Sequence, residues 1–369
     1  MNVPLSILDL VPISEGSDAA TALRNTVDLA RHAEQWGYRR YWLAEHHFVA
    51  VASSSPAVLI GQLAAATERI HVGAAAVQLG YTTAVAVVES FGILDALYPG
   101  RMDLGVGRSG QRRRAAATAV TRPKGPPRPW QEIDDVVIPA PFDISALLSN
   151  PRLQARMSVL QQPEASAPDF ADQVADILAM LDGSYHVDGV EAHVTPGEGA
   201  PLRPWVFGSS KGQSARVAAK FGLPFVASYH ITPATALGAI DVYRDGFQPS
   251  AELREPHVVV SADIVVADDT ATARQLASTY GHWVHSIRAG DGAVPYPDPT
   301  SSLPLSSEKQ ELVRDRTATQ FVGDPDEVAH RLDALQRLTH ADELVVTSVT
   351  HAHADRLRSH ELIAKRWGL

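Results

Sequence analysis

The sequence predicts a single (β/α)8 barrel spanning all 369 residues, with insertions over one face. Three observations predict it. Short apolar runs alternate with amphipathic helical patterns along most of the chain, the mark of parallel strands joined by helical crossovers. The run and helix pairs number about eight. No internal repeat of short period competes with that reading.

The elements follow in order. Leu5 to Leu10 reads as a strand. Ala22, Val27, Leu29, Ala30 and Ala33 then mark a helix from Asp18 to Trp36, stopped by Gly37. Arg40 to Ala44 is the second strand, and Ser55-Pro56 opens a helix to about Thr67. Ile70 to Leu79 reads as one continuous third strand, Ala84 to Leu97 as a helix ending before Pro99-Gly100, and Met102 to Val106 as the fourth strand. The pattern lapses between about residues 109 and 169, a Pro- and Arg-rich stretch that reads as an insertion over the active face. It resumes with a helix from Phe170 to Leu181 and a strand from Pro204 to Phe207. A helix from about Gln213 to Phe221 and a strand from Pro224 to Ser228 follow. Later strands are His257 to Val266 and Glu343 to Thr347. Later helices are Pro233 to Phe247, Thr270 to Ser286, Pro325 to Leu338 and Ala354 to Trp367. The Gly/Pro-rich segment 290–304 reads as a lid.

Composition narrows the function. Hydrophobic residues make up 45% and charged residues 20%, as in a soluble enzyme with a large core. A net charge of −10 argues against nucleic-acid binding, and the local Arg112-Arg113-Arg114 cluster reads as a solvated loop. Cysteine is absent, which removes disulfides, thiolate catalysis and Cys-ligated metals and fits a reducing cytoplasm. The N-terminus shows no signal pattern, and no apolar run is long enough to span a bilayer, so a cytoplasmic protein without a membrane partner is expected.

Chemistry concentrates at predicted strand ends. Glu45, His46 and His47 close the second strand, where a barrel places its reactive groups. Adjacent imidazoles beside a carboxylate can donate, accept or carry a proton near neutral pH. Strand alternation would point His46 and His47 in different directions, one toward a pocket and one holding the loop. Gly208-Ser209-Ser210-Lys211-Gly212-Gln213-Ser214 follows a strand and opens a helix, offering N–H groups, hydroxyls and an ammonium to a phosphate. The spacing is not that of a Walker A loop. Gly105, Gly107 and Arg108 offer a small-residue strand end and a guanidinium fork. Gly73-Ala74-Ala75-Ala76 gives either a bulk-free surface for a planar ring or the narrow centre of a barrel. Tyr229 and His230 add an aromatic and a titratable group at another strand end. A metal centre built from Glu45, His46, His47, His230, His351 and His353 is the competing reading. Only His351-Ala352-His353 has suitable spacing, without an acidic motif beside it, and no metal is expected.

These residues resemble the bacterial luciferase-like flavin-dependent monooxygenases over almost the whole chain. The resemblance rests on Leu43 to Phe48, Val72 to Ala75, Tyr98 to Arg108, Gly222-Leu223-Pro224, Phe321 to Glu327 and Ala341 to Leu344. It implies a barrel that binds FMN at the C-terminal ends of its strands, with a non-proline cis peptide at Ala74-Ala75. Arg108, with Gly107 before it, and the Ser210-Lys211-Gly212-Gln213-Ser214 loop would hold the phosphate, Tyr229 would lie near the ring, and His47 would be the active-site histidine with His46 beside it. It further implies reduced FMN delivered by a separate reductase, a C4a-peroxyflavin formed with O2, and oxygenation of a small organic substrate by a homodimer. The helix Ala84 to Leu97 is a candidate dimer interface. Val106 stands where the light-emitting enzymes have a reactive cysteine, and Gly80 and Thr83 where they have Pro and His, so aldehyde oxidation and light emission are not implied. Two alternatives stay open: a dehydrogenase or reductase of the same superfamily using F420, and a non-catalytic flavin-binding partner subunit.

Overall fold

In the computed structural model, which describes residues 2–108, 129–208 and 211–369, eight parallel strands close into a barrel. They are β1 (Leu5–Asp9), β2 (Arg40–Leu43), β3 (His71–Ala74), β4 (Met102–Gly107), β5 (Pro204–Gly208), β6 (Phe225–Ala227), β7 (Val258–Val266) and β8 (Glu343–Thr347). Each pairs with its sequence neighbour, and β8 returns to β1 with Leu344 opposite Leu5. The helices that cover them are α1 (Ala19–Trp36), α2 (Pro56–Ala66), α3 (Ala84–Leu97), α4 (Phe170–Leu181), α5 (Gln213–Lys220), α6 (Pro233–Asp245), α7 (Pro325–Thr339) and α8 (His353–Trp367). Their ends carry the expected chemistry. Asp18 caps α1 by accepting from the Thr21 N–H, and Gly37 ends it at a φ of 90°. Asp324 and Glu327 form a capping box on α7, with Pro325 in its first turn.

Strand alternation divides the core into two layers. Ile7, Tyr41, Val72, Leu104 and Val206 face the helices, while Leu8, Trp42, Trp205, Val226, Val259 and Val345 fill the barrel. Close packing at the barrel centre explains the glycines on β3 and β4. A Cβ on Gly73 would lie 2.6 Å from the Trp42 ring, and a Cβ on Gly105 would lie 1.8 Å from the Ala74 carbonyl oxygen and 2.6 Å from the Phe207 ring. Gly73 therefore belongs to the narrow barrel centre. Gly105→Ala is expected to destabilise by at least about 3 kcal/mol, the upper end for overpacking, because the first obstacle is backbone. Thermal melting of the variant checks this, and an unchanged midpoint would contradict it.

The N-terminal end of the barrel is sealed by charge. Arg40 donates to Asp103 at 2.6 Å and to Glu343 at 3.2 Å, Ser6 donates to Glu343, and Trp205 lies under the guanidinium. The opposite end is left for chemistry.

Four local readings change. The third strand does not run unbroken from Ile70 to Leu79: it ends at Ala74, and Val77–Gln78 resumes pairing with β4. The non-proline cis peptide is Ala75-Ala76, one residue beyond the expected Ala74-Ala75. The helix expected from Thr270 to Ser286 is two helices, Thr270–Ala277 and Tyr280–Arg288. Helix Ser307–Thr317 and strand Phe321–Gly323, which pairs with the far end of β7, were not visible in the periodicity.

The described part of the insertion contains a hairpin (Gln131–Ile133 with Val136–Ile138) and helices Ser145–Leu148 and Pro151–Ser158. Within segment 290–304, Tyr296 is fully buried and donates its N–H to the Ile13 carbonyl, while Ala293 accepts from the Ala50 N–H. The middle of that segment is thus tied to the loops after β1 and β2.

Candidate active site

The Glu45-His46-His47 cluster lies in the loop immediately after β2, so strand alternation no longer governs it. The Glu45 carboxylate joins two elements. One oxygen is 2.9 Å from His47 Nε2, and the other accepts the Gln78 N–H at 3.0 Å. Gln78 returns a bond from its side-chain amide to the Glu45 carbonyl. The His47 ring also meets Tyr81 edge-on at 6.2 Å. Glu45 and His47 therefore form one unit that fixes this loop against the short strand after the cis peptide.

His46 is directed elsewhere. Its N–H donates to the Ser53 carbonyl. His46 is exposed, while the protein packed around it, followed by the neighbouring His47, pushes its imidazole down to about 4. His230, after β6, is its counterpart. Burial, then Arg316, then His46 push His230 down to about 3. His230 Nδ1 lies 2.5 Å from the Ser261 hydroxyl, which donates to the Ala227 carbonyl at 3.4 Å. In that arrangement Nδ1–H donates to Ser261 and leaves Nε2 as an acceptor. Both imidazoles are thus pushed toward the neutral form.

A second group of donors rises from β4 and β5. Arg108 Nη1 approaches the Gln213 amide oxygen at 3.4 Å, and the Gln213 amide nitrogen binds both Asp169 oxygens at 2.7 Å. Burial lowers the Arg108 pKa from its ordinary value, with Asp169 opposing. Gly208 lets the first turn of α5 press on the strand: a Cβ there would lie 2.9 Å from Ser214 and 2.8 Å from the Phe225 ring. The α5 N-cap is Gly212, so among the described residues no N-cap side chain accepts from its first-turn N–H groups. Gly107, at the end of β4, is buried beside Ala76. A guanidinium, a helix N-terminus and an amide suit a phosphate.

Other expected site residues are placed differently. Ser210 lies outside the described residues. Lys211 is exposed, with its stem over Gly238 of α6. Tyr229 is fully buried beside Phe321 and donates to the Val137 carbonyl at 2.8 Å, so it has no free face for a ring. His230, the next residue, supplies the group at the mouth. Ala74 is buried under the helices, whereas Ala75 is partly open and packs with the barrel interior. His351 and His353 bond to the Glu15 carbonyl and to Asp28, so they do not join His46.

Sequence reasoning missed the groups behind His230. Asp263, the one charged residue in the apolar run of β7, accepts from Tyr280 and from Gln320 at 3.3 Å, and Arg316 donates to the Tyr280 oxygen at 2.6 Å. A lone acid within a buried strand was the available signal. Two clefts among the described residues, of 770 and 620 Å³, are lined by none of Glu45, His46, His47, Arg108 or His230. No helix among them is long and apolar enough to cross a membrane.

Known proteins agree with this architecture. The pattern of the luciferase-like monooxygenase family matches residues 3–137 and 160–341. A luciferase-like monooxygenase of Escherichia coli (strain K12) is 34% identical over 365 residues, covering 98% of this chain and 96% of that one. An N-acetyl-S-alkylcysteine monooxygenase of Bacillus subtilis (strain 168) is 48% identical over 108 residues, 29% of this chain and 32% of its own. The crystal structure of apo-MsnO8 superposes with a TM-score of 0.78 at 28% identity, covering 100% of this chain and 98% of that one. With its closed barrel and its Glu-His-His loop, this chain belongs to the luciferase-like monooxygenase family.

Proposed function

We propose that this protein is an FMN-dependent monooxygenase that oxygenates a small organic substrate, using reduced FMN from a separate reductase. The observation that carries the reading is that complementary groups follow the C-terminal ends of the strands: His46 after β2, Arg108 after β4, Gln213 and the first turn of α5 after β5, and His230 after β6. When bound, reduced FMN supplies two electrons, so that one atom of O2 enters the substrate and the other leaves as water.

The chain's own residues have separable tasks. Arg108 and the first N–H groups of α5 would hold the phosphate, with Gln213, bound to Asp169, placing the guanidinium. Ala75, partly open at its strand end, would leave room for the ring. His46 and His230, neutral at working pH, accept and return the protons that the reaction moves at the mouth. Glu45 and His47 hold the loop that carries His46. Val58 of α2 and Val85, Ile93 and Leu97 of α3 leave apolar surface exposed, the face on which a second copy would pack in a homodimer. The substrate named for the Bacillus subtilis relative is one to assay first.

Comparison of FMN with riboflavin, which lacks the phosphate, tests the cofactor half of this reading. Arg108→Ala is expected to remove about 1.5–3 kcal/mol of FMN affinity, the worth of a hydrogen bond to a charged group, and to leave riboflavin unchanged. Equal losses for both ligands would take Arg108 out of the phosphate site.

A further inference from the structure

Behind His230 stands a guanidinium that the proposed reaction does not use. Helix Ser307–Thr317 is polar along most of its length, and Val313 is its buried residue. Arg316, three positions on, shares that inner side. Its Nη2 donates to the Tyr280 oxygen at 2.6 Å, and the Tyr280 hydroxyl donates to Asp263. Arg316 therefore meets its countercharge only through a phenol. Among the described residues it forms no salt bridge, and the undescribed segments 109–128 and 209–210 contain no Asp or Glu. The adjacent Asp315 carboxylate is taken by Arg288 at 2.5 Å. Arg316 Nε is buried without a partner, Nη1 forms no hydrogen bond, and the side chain keeps some open surface. A guanidinium surrounded by protein is costly unless a well-placed anion completes it.

We propose that Arg316 receives the carboxylate of the substrate, which makes the preferred substrates small organic acids. This assignment rests on the monooxygenase reading above. Arg316 is tied through Tyr280 to Asp263, two residues along β7 from the Ser261 that bonds His230, whereas the phosphate donors Arg108 and Gln213 enter from β4 and β5. The planar fork suits a carboxylate better than a point charge would. Tyr280 and Asp263 are positioning residues: they fix the fork by the Nη2 arm and leave Nη1 without a hydrogen bond among the described residues.

The test uses acetate, benzoate and N-acetylmethionine, each against its primary amide, by calorimetric titration of the full-length protein with and without FMN. At least one acid is expected to bind tenfold or more tighter than its amide. Arg316→Met should erase that ratio, and Arg316→Lys should keep part of it. If no acid outbinds its amide in the unaltered protein, the assignment is overturned without any variant having to fold. It is also overturned if the ratio survives in Arg316→Met. FMN and riboflavin are titrated into Arg316→Met as well. A selective loss of FMN would move Arg316 to the phosphate and overturn the assignment, while an unchanged FMN-to-riboflavin ratio supports it. Failure of the unaltered protein to bind any flavin would sink the monooxygenase reading, and the acid-to-amide ratio would still be read.

Discussion

Replacing Arg356 with Met is expected to cost about 3–5 kcal/mol of folding stability, the usual consequence of removing one partner from a buried ion pair. The other partner is Asp9, the last residue of β1, which is 3% exposed. Its oxygens accept from Arg356 Nη1 at 3.0 Å, the Thr26 and Tyr41 hydroxyls at 2.5 Å each, and the Val11 N–H at 2.7 Å. Burial opposes ionisation of this carboxyl, but Arg356 and the three hydrogen bonds outweigh it and hold its pKa below the ordinary value. A depressed carboxylate pKa contributes stability above the unfolded value of about 4 and loses it as pH falls through the folded value. The penalty of Arg356→Met should therefore be full at pH 7 and shrink below about pH 4. Asp9→Asn in the same chain should recover part of it, because the stranded charge is gone. Urea unfolding of the single and double variants measures both effects, and a loss under about 1 kcal/mol at pH 7 would contradict the account.

His46→Ala should lower turnover by about 10²–10⁴-fold, the range for a lost proton-transfer group, while changing FMN affinity little. His46 and His230 both follow C-terminal strand ends, whereas His47 is bound to Glu45 and through it to Gln78. His47→Ala should disturb the loop itself and lower flavin affinity and turnover together. The pH profile separates these roles further. With His46 held at about 4, its neutral form persists far into acid, so the rate should show no inflection at the ordinary histidine value of about 6.5. Such an inflection, or identical losses in the two variants, would place the proton transfer elsewhere.

The barrel was legible because its strands are apolar runs and its helices are capped by residues with unambiguous chemistry. Helices α3 and α4 and strand β8 run over the predicted residues. The reading failed where local pattern does not decide. Ile70 to Leu79 looks like one strand, but the backbone turns at Ala75-Ala76 in a way composition does not encode. Helix Ser307–Thr317 has one buried position, so it shows no apolar period. Its Arg316 looks like any solvated arginine until tertiary packing sets it over Tyr280. Tyr229 was an attractive aromatic by position, yet its side chain turns into the outer core and leaves His230 at the mouth. Glu45, His46 and Arg108 were readable because charged groups at the ends of apolar strands announce themselves.

The central claim is that the rim of His46, Arg108, Gln213 and His230 binds reduced FMN and lets it react with O2 for a substrate. The most direct measurement is anaerobic titration of the purified protein with reduced FMN and, in parallel, reduced F420, followed by rapid mixing with oxygenated buffer. The account predicts tight binding of reduced FMN and an oxygen-dependent absorbance transient that outlasts the one from free flavin. Binding of F420 alone, with no oxygen-dependent transient, would contradict it and assign the mouth to hydride transfer.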